Sequence, residues 1–256
     1  KKAHTPWAWH RDLFEYARSL DLILFSSPFD ETAVDLLEKL DNPIYKIASF
    51  EVMDIQLVQR IARTKKPTIL SSGVATIGEI STAIKILKDH GVNDITLLHC
   101  ISSYPAPVEA ANLKTLEVFK QLFDVKIGLS DHSPGIGVSV AAIALGATLI
   151  EKHFVLDKSK GGVDAAFSLG PSEFKLLVQE CKNAHRALGK PQIRYSKDDN
   201  PEQRKYARSL FVVRNINEGE TISPENVRSI RPGYGLHPEK YELVMGRKVK
   251  RSINRG

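Results

Sequence analysis

Short apolar runs alternate with stretches of helical period along most of the chain. Helical periodicity predicts helices at Arg11–Leu20, Glu31–Leu40, Asp54–Thr64, Ile77–His90, Leu113–Phe123, Ile136–Gly146 and Ser172–Leu188. The apolar runs have the length of buried strands and lie at Leu22–Phe29, Tyr45–Phe50, Pro67–Gly73, Asp94–Cys100, Lys126–His132 and Leu149–Phe154. This regular alternation of strand and helix predicts βα units and a parallel sheet.

A doubly wound sheet and a (β/α)8 TIM barrel both fit this alternation, and the strand ends distinguish them. Nearly every run finishes in polar or ionisable residues, as in Ser26-Ser27, Ser71-Ser72 and Ser130-Asp131-His132. A barrel builds its active site from such residues, and no glycine-rich dinucleotide motif follows any run. We therefore expect an α/β barrel. Because six units cannot close eight strands, we expect it to lack its first two strands in this chain.

The pattern changes after the last predicted helix. A polar stretch that begins at Gly189-Lys190-Pro191 predicts a linker over residues 190–205. This linker would separate a partial barrel domain at residues 1–189 from a small domain at residues 206–256. The small domain is predicted to be β-rich from apolar runs at Leu210–Val213 and Lys248–Ile253, a turn at Glu218–Glu220 and a short helical piece near Pro224–Val227.

The C-terminal segment carries the positive charge of the chain. Residues 1–189 hold 21 Lys and Arg against 22 Asp and Glu, whereas residues 190–256 hold 15 against 8. Arg231 there offers a guanidinium suited to a carboxylate. Without a nucleic-acid motif or an apolar run near 18 residues, we expect no nucleic acid and no membrane as partners. Cys100 and Cys181 cannot form a disulfide framework, so we expect a cytoplasmic protein.

Two histidines end consecutive predicted strands. Strand alternation places His132 on one face with Ser130, and His153 on one face with Glu151. If both faces point inward, the two imidazoles reach the mouth of the barrel. Neutral imidazoles there would bind a divalent metal and leave positions open for water or substrate. The alternative is that both are hydrogen-bonded structural histidines.

Lys46 lies within a buried run, where a lysine needs an anionic partner. It can bind a phosphate among nearby hydroxyls, form a Schiff base, or pair with an internal carboxylate such as Glu51. The other carboxylates that could serve acid–base or orienting roles, or be satisfied core ions, are Asp131, Glu151 and Asp164.

Four motifs together resemble the sialic acid synthase family: Lys46-Ile-Ala-Ser-Phe-Glu51, Leu129-Ser-Asp-His132, Glu151-Lys-His-Phe154 and Arg231-Pro-Gly-Tyr-Gly235. The resemblance covers essentially the whole chain. Three further stretches resemble the pseudaminic acid branch of that family, with the neuraminate and legionaminate branches as alternatives. These stretches are Thr5–His10, Gly161–Ser168 and Gly233–Pro238.

The resemblance implies a barrel followed by an antifreeze-like (SAF) domain, in a domain-swapped homodimer. It implies condensation of phosphoenolpyruvate with 2,4-diacetamido-2,4,6-trideoxy-altrose to give a nonulosonic acid and phosphate. His132 and His153 would bind a divalent metal, manganese or else magnesium or cobalt, and also act in catalysis. Glu51 and Asp164 would serve the sugar and acid–base steps. The residues implied to bind substrate are Ser27, Lys46, Ser49, Ser71, Ser102, Tyr104, Ser130 and Arg231, the last reaching the sugar pocket of the other subunit.

Two other functions stay open at this stage. A metal-dependent hydrolase of barrel fold would also use histidine ligands, although the early His-x-His pair typical of that class is absent. A non-catalytic glycan- or anion-binding protein would account for the basic C-terminal segment. Phosphate release from phosphoenolpyruvate that requires both metal and sugar would distinguish a synthase from both.

Overall fold

A computed structural model describes residues 5–191 and 201–256 of the chain. The chain divides into two compact units, residues 1–189 and residues 190–256, and each is described by itself. Most of the expected linker, residues 192–200, lies outside the described residues. None of the helices in the described ranges combines the length and the hydropathy that a membrane-spanning segment requires.

The first unit is a parallel sheet surrounded by helices. Its strands are β1 (Tyr45–Ile47), β2 (Thr68–Ser71), β3 (Ile95–Cys100), β4 (Lys126–Asp131) and β5 (Ile150–Lys152). The strands lie in chain order, and each neighbouring pair is parallel. The helices are α1 (Trp7–Ser19), α2 (Glu31–Lys39), α3 (Ile55–Ala62), α4 (Ile77–Asp89), α5 (Thr115–Leu122), α6 (Gly137–Ala144) and α7 (Pro171–Leu188), with 3-10 turns at Val108–Ala111 and Lys158–Lys160.

A bond between the two outermost strands shows that the sheet is curled. Lys46 Nζ on β1 lies 2.6 Å from Glu151 Oε2 on β5, although three strands lie between them in the sheet order. In a flat sheet, four strand spacings would hold these strands about 19 Å apart. The sheet therefore curves into a half-barrel, as the barrel architecture predicted from the strand ends requires.

Local sequence signals explain where several helices begin. The carboxylates of Asp30 and Asp54 accept hydrogen bonds from backbone amides in the first turns of α2 and α3. Thr76 and Glu79 form a reciprocal capping box at the start of α4. The helices pack on the sheet through one apolar core, whose fully buried members include Tyr45, Ile47, Leu57, Leu70, Leu97, Leu116 and Leu129.

The strand predicted at Leu22–Phe29 is wrong. Residues 22–28 form no strand, and in the described chain β1 pairs only with β2. An apolar run becomes a strand only where a neighbouring strand takes up its backbone hydrogen bonds. Ile23 is accordingly 72% exposed, and the Ser26 amide bonds instead to the Asn42 side chain, with N and Oδ1 3.4 Å apart. Five of the six predicted strands remain.

The second unit is small and β-rich. Its strands β6 (Ser209–Val212) and β7 (Val227–Ile230) pair antiparallel, and α8 (Tyr241–Val244) was not predicted. Two 3-10 turns occupy Pro201–Tyr206 and Pro238–Lys240. The run predicted at Lys248–Ile253 makes isolated bridges at its two ends rather than a strand.

The helical piece predicted near Pro224–Val227 is wrong. Residues 224–226 form a turn, and Val227 begins β7. The Asn226 side chain closes this turn by accepting from the Ser223 amide and donating to the Thr221 carbonyl. An asparagine that bonds to its local backbone in this way favours a turn over a helix.

Candidate active site

Lys46, Ser130 and Glu151 form a hydrogen-bonded group inside the curled sheet. Ser130 and Glu151 are register partners on β4 and β5, so their side chains lie on the same face. Glu151 Oε2 accepts from Lys46 Nζ and Glu151 Oε1 accepts from Ser130 Oγ, each at 2.6 Å. Burial by itself would raise the pKa of the Glu151 carboxyl, but the Lys46 charge and these hydrogen bonds outweigh it and lower that pKa. The group is therefore an ion pair that also holds a hydroxyl.

Two imidazoles stand beside this group. The rings of His132 and His153 have centroids 5.2 Å apart. His132 Nδ1 lies 2.9 Å from the Ile101 carbonyl oxygen, which can only accept, so Nδ1 donates this hydrogen bond. His153 Nδ1 faces Asp164 Oδ2 at 3.5 Å. Burial, and then the neighbouring His132, lowers the pKa of His153. In both rings Nδ1 faces an oxygen, so Nε2 is the ring nitrogen left to meet a ligand.

These two rings fit a divalent metal. A metal-binding histidine usually has its second nitrogen held by a carbonyl or carboxylate, as Ile101 and Asp164 do here. Within the described ranges there is no group of three or more His, Cys, Asp or Glu placed to bind a metal. The described chain would thus supply two ligands, and water or substrate oxygens would complete the coordination, as in an open catalytic site.

Tyr104 and Phe167 border the imidazoles with aromatic surface. The Tyr104 ring centroid lies 4.3 Å from that of His132 and 6.1 Å from that of His153. The Phe167 ring centroid lies 5.0 Å from that of His153 and 6.0 Å from that of Tyr104. Burial raises the pKa of the Tyr104 phenol, with smaller contributions from nearby acidic groups. Tyr104 therefore stays a neutral hydrogen-bonding group at the open edge of the site, where it is 49% exposed.

Small hydroxyl side chains form a second part of the site. Ser49 Oγ and Ser102 Oγ are 3.1 Å apart, and the buried Ser71 Oγ has no hydrogen-bond partner among the described residues. Gly73 has a φ of +36°, and a Cβ built there would lie 2.0 Å from Ser49 Cβ. The residue must therefore be glycine for Ser49 and Ser102 to meet. A buried hydroxyl with spare bonding capacity, such as that of Ser71, suits a phosphate or carboxylate.

Glu51 has one carboxylate oxygen without a partner in the described structure. Its Oε2 is buried and makes no hydrogen bond within the described structure, and burial raises the pKa of its carboxyl. The pairing of Lys46 with Glu51, one of the alternatives in the sequence, is wrong because Glu151 occupies that position. Glu51 is left free to donate a proton or a hydrogen bond to a ligand.

Two of the expected residues of the first unit are not brought into this cluster, and a third lies in the second unit. Ser27 lies in the irregular segment before α2 and lines a separate cavity of about 260 Å³ with Trp7 and His10. Arg231 follows β7 in the second unit and is exposed. Asp131 points to the opposite face of β4, where it binds Lys152 with Oδ2 and Nζ 2.9 Å apart. That pair is almost fully buried and is structural.

Sequence reasoning missed two features, of which the strand register could have supplied one. Glu151 as the partner of Lys46 follows only from the curling of the sheet, because 105 residues separate them. The Asp131–Lys152 pair follows from the same one-to-one register that joins Ser130 to Glu151.

Known proteins resemble both units of the chain. Residues 1–193 match the NeuB family, and residues 207–256 match the SAF domain. The chain is 46% identical over 253 residues to a pseudaminic acid synthase of Helicobacter pylori, an alignment that covers 99% of this chain and 74% of that protein. It is 38% identical over 240 residues to an N,N'-diacetyllegionaminic acid synthase of Campylobacter jejuni, covering 93% and 72%.

A solved structure agrees with these relatives. The crystal structure of N-acetylneuraminic acid (sialic acid) synthetase from Leptospira borgpetersenii, in complex with citrate, superposes with a TM-score of 0.73 at 34% identity. The superposition covers 78% of this chain and 70% of that one. The predicted resemblance to the sialic acid synthase family and the predicted barrel class are therefore confirmed.

Proposed function

This chain belongs to the NeuB family, and from that membership we propose that it condenses phosphoenolpyruvate with 2,4-diacetamido-2,4,6-trideoxy-altrose. The products are a nonulosonic acid, pseudaminic acid, and phosphate. Relatives named for pseudaminic acid synthesis support the choice of sugar. A legionaminate or neuraminate substrate is the alternative within the family, because relatives named for those products also match the chain.

One observation carries the proposal: an ammonium, several serine hydroxyls and two imidazoles lie inside a single half-barrel, and the Ser71 hydroxyl among them has no partner in the described structure. Phosphoenolpyruvate bears a phosphate and a carboxylate, and both need cationic or hydroxyl donors. The Lys46 ammonium has three N–H donors, of which Glu151 takes one. The remaining donors, with Ser49 and Ser71, can hold the anionic groups of this substrate. Ser102 extends the same hydroxyl row.

Lys46 acts through charge in this proposal rather than through a Schiff base. An amine that is committed to an ion pair with Glu151 at 2.6 Å is not a free nucleophile. Borohydride treatment with phosphoenolpyruvate or sugar should therefore trap no covalent adduct at Lys46. A stable adduct at Lys46, found by peptide mass spectrometry, would replace the electrostatic role with a covalent one.

His132 and His153 would hold a divalent metal, manganese or alternatively magnesium or cobalt, through their Nε2 atoms. Such an ion, when bound, supplies Lewis-acid polarisation of the sugar aldehyde. Asp164 Oδ2 faces His153 Nδ1 at 3.5 Å and would orient that ring, and the Tyr104 ring lies against both imidazoles. The ligand nitrogens are thus held in place by contacts that the chain makes on its own.

The chain also supplies the proton that carbon–carbon bond formation requires. The C3 carbon of phosphoenolpyruvate attacks the aldehyde carbon, and the aldehyde oxygen takes up a proton to become a hydroxyl. Glu51 Oε2, buried and without a partner, is the atom we assign to hold that proton. Water then adds at C2 of the former phosphoenolpyruvate, and phosphate leaves from the tetrahedral intermediate by cleavage of its carbon–oxygen bond.

We further propose that the protein works in the cytoplasm as a domain-swapped homodimer. The exposure of Arg231 and the basic character of residues 190–256 support delivery of a guanidinium to the sugar pocket of the other subunit. Small-molecule substrates are then its partners, with neither nucleic acid nor membrane involved. The boundaries expected from the sequence, with the synthase domain at 1–189 and the SAF domain at 206–256, are part of this proposal.

The test is product formation by the purified full chain. Phosphoenolpyruvate, manganese and the altrose-configured sugar are mixed, and phosphate release and product mass are measured. Lys46→Met should abolish the reaction, whereas the matched Lys85→Met, on the exposed face of α4, should not. Phosphate release without sugar would indicate a hydrolase. Binding of sugar and phosphoenolpyruvate without turnover would indicate a binding protein, and a preference for an epimeric sugar would move the assignment to another branch.

A further inference from the structure

We propose that Glu151 is a positioning residue: it aims the Lys46 ammonium and takes the hydrogen of the Ser130 hydroxyl, so that Lys46 and not Ser130 donates to the substrate anion. The inference rests on the proposed function only for the identity of that anion, phosphoenolpyruvate. Its geometry is independent of any assignment of the sugar.

Each carboxylate oxygen of Glu151 accepts one hydrogen bond. An ionised carboxylate can only accept, so both 2.6 Å contacts are donated to it, one by Lys46 Nζ and one by Ser130 Oγ. A serine hydroxyl has a single hydrogen, and here that hydrogen points at Glu151. Ser130 Oγ therefore offers only lone pairs to its other neighbours, of which His132 Nε2 lies 3.5 Å away.

The same bond sets the direction of the ammonium. A lysine has four rotatable side-chain bonds and no fixed geometry at its head group. With one N–H directed to Glu151, the other two donors of Lys46 are held in defined directions inside the half-barrel. The side chain of Lys46 is only 10% exposed, whereas that of Glu151 is 35% exposed and borders the open part of the site.

Glu151 also has an electrostatic cost for substrate binding. Its negative charge lies beside the ammonium and repels a phosphate or carboxylate that approaches the same group. Glu151 thus lowers the affinity for phosphoenolpyruvate while it aligns the Lys46 ammonium. Removing its charge should tighten the binding of phosphoenolpyruvate while it slows turnover, and a purely structural residue would not produce such opposite changes.

The experiment compares Glu151→Gln with the wild-type full chain. We expect KM for phosphoenolpyruvate to fall about threefold and kcat to fall about tenfold or more, since a tenfold change corresponds to the loss of one well-aligned charged hydrogen bond. Ser130→Ala should raise KM for phosphoenolpyruvate by less than about tenfold, because the hydrogen of this hydroxyl is donated to Glu151, whereas a serine that donates to the anion would raise KM about tenfold when removed. A rise in KM for Glu151→Gln, or a tenfold rise for Ser130→Ala, would overturn the proposal.

A matched control exists in the same unit. Glu38 likewise accepts from a lysine and a hydroxyl, Lys66 Nζ at 2.6 Å and Tyr45 Oη at 2.8 Å, but lies outside the candidate active site. Glu38→Gln should change stability without separating KM from kcat. If Glu151→Gln behaves as Glu38→Gln does, Glu151 is structural and the proposal fails.

Two further measurements keep the outcome decisive. Glu151→Asp keeps the charge but is too short to reach both partners, so it should lower kcat without lowering KM, and an unchanged kcat would contradict the positioning role. Calorimetric titration with phosphoenolpyruvate alone should show tighter binding to Glu151→Gln than to wild type. Equal or weaker binding would contradict the claim that the Glu151 charge weakens the binding of this anion. If the wild type binds phosphoenolpyruvate but makes no product with any sugar, the proposed function fails while this titration still decides the role of Glu151.

Discussion

Lys152→Met and Asp131→Leu are expected to destabilise the first unit by unequal amounts. The two side chains form an ion pair on the outer face of β4 and β5, with Nζ and Oδ2 2.9 Å apart and each side chain 2% exposed. Burial alone would raise the pKa of Asp131, but Lys152 and two serines outweigh it and lower that pKa. Either substitution leaves one buried charge without its counterion, which typically costs about 3–5 kcal/mol.

The hydrogen bonds that remain determine how much of this cost each variant shows. Without Lys152, Asp131 still accepts from the Ser133 amide and from the hydroxyls of Ser133 and Ser139, at 2.6–2.9 Å. Without Asp131, Lys152 keeps the Ser133 carbonyl, and both serine hydroxyls lose an acceptor. We therefore expect about 2 kcal/mol for Lys152→Met and about 4 kcal/mol for Asp131→Leu.

Urea unfolding followed by tryptophan fluorescence measures this difference. The two tryptophans of the chain, Trp7 and Trp9, both lie on α1, so the signal reports the first unit. Lys126→Met is the control, because Lys126 and Asp94 form an exposed pair at 3.0 Å that should contribute under about 1 kcal/mol. Equal losses for Lys152→Met and Lys126→Met, or a larger loss for Lys152→Met than for Asp131→Leu, would refute the reasoning.

Three other predictions concern the site itself. His132→Ala and His153→Ala should each lose bound manganese in elemental analysis of the purified full chain, and unchanged metal content in both would show that the ligand assignment is wrong. Burial raises the pKa of Glu51, so ionisation of this carboxyl opposes folding, and the free energy of unfolding falls as pH rises through that pKa. Glu51→Gln should therefore have a higher melting temperature than wild type at pH 8, and the difference should be smaller at pH 4. The same variant should lose synthase activity. A pH-independent difference would contradict this. Mixing Arg231→Ala chains with His132→Ala chains should restore activity in heterodimers, and verified heterodimers without activity would place the arginine in its own subunit or outside the reaction.

The sequence predicted much of the first unit because burial imposes a simple pattern on βα repeats. A parallel strand covered on both faces is an apolar run, and β1 to β5 were all predicted at positions within a few residues of those observed. The same rule failed at Leu22–Phe29, where the run is apolar but no neighbouring strand in the described chain accepts its backbone bonds. Strand formation depends on a partner, and a single run carries no information about its partner.

The sequence predicted which candidate side chains share a strand face better than it predicted which of them bond to each other. Alternation fixed that Ser130 and His132 share a face, and that Glu151 and His153 do, and the structure brings all four together. The choice between Glu51 and Glu151 as the partner of Lys46 depends on how far the sheet curls, which is a property of many packed side chains. Local sequence cannot encode such a distance, so this pairing required the structure.

The bond between Lys46 and Glu151 has a consequence for folding during synthesis on the ribosome. It joins residues 105 positions apart, so Lys46 lacks its bonded carboxylate until β5 has been synthesised. At bacterial and eukaryotic elongation rates, that interval lasts roughly 5 to 20 s. During this time the nascent chain carries the Lys46 ammonium in an apolar strand without the Glu151 carboxylate. We expect ribosome-bound chains that stop before residue 151 to be protease-sensitive around β1 and those that extend well beyond it to be protected.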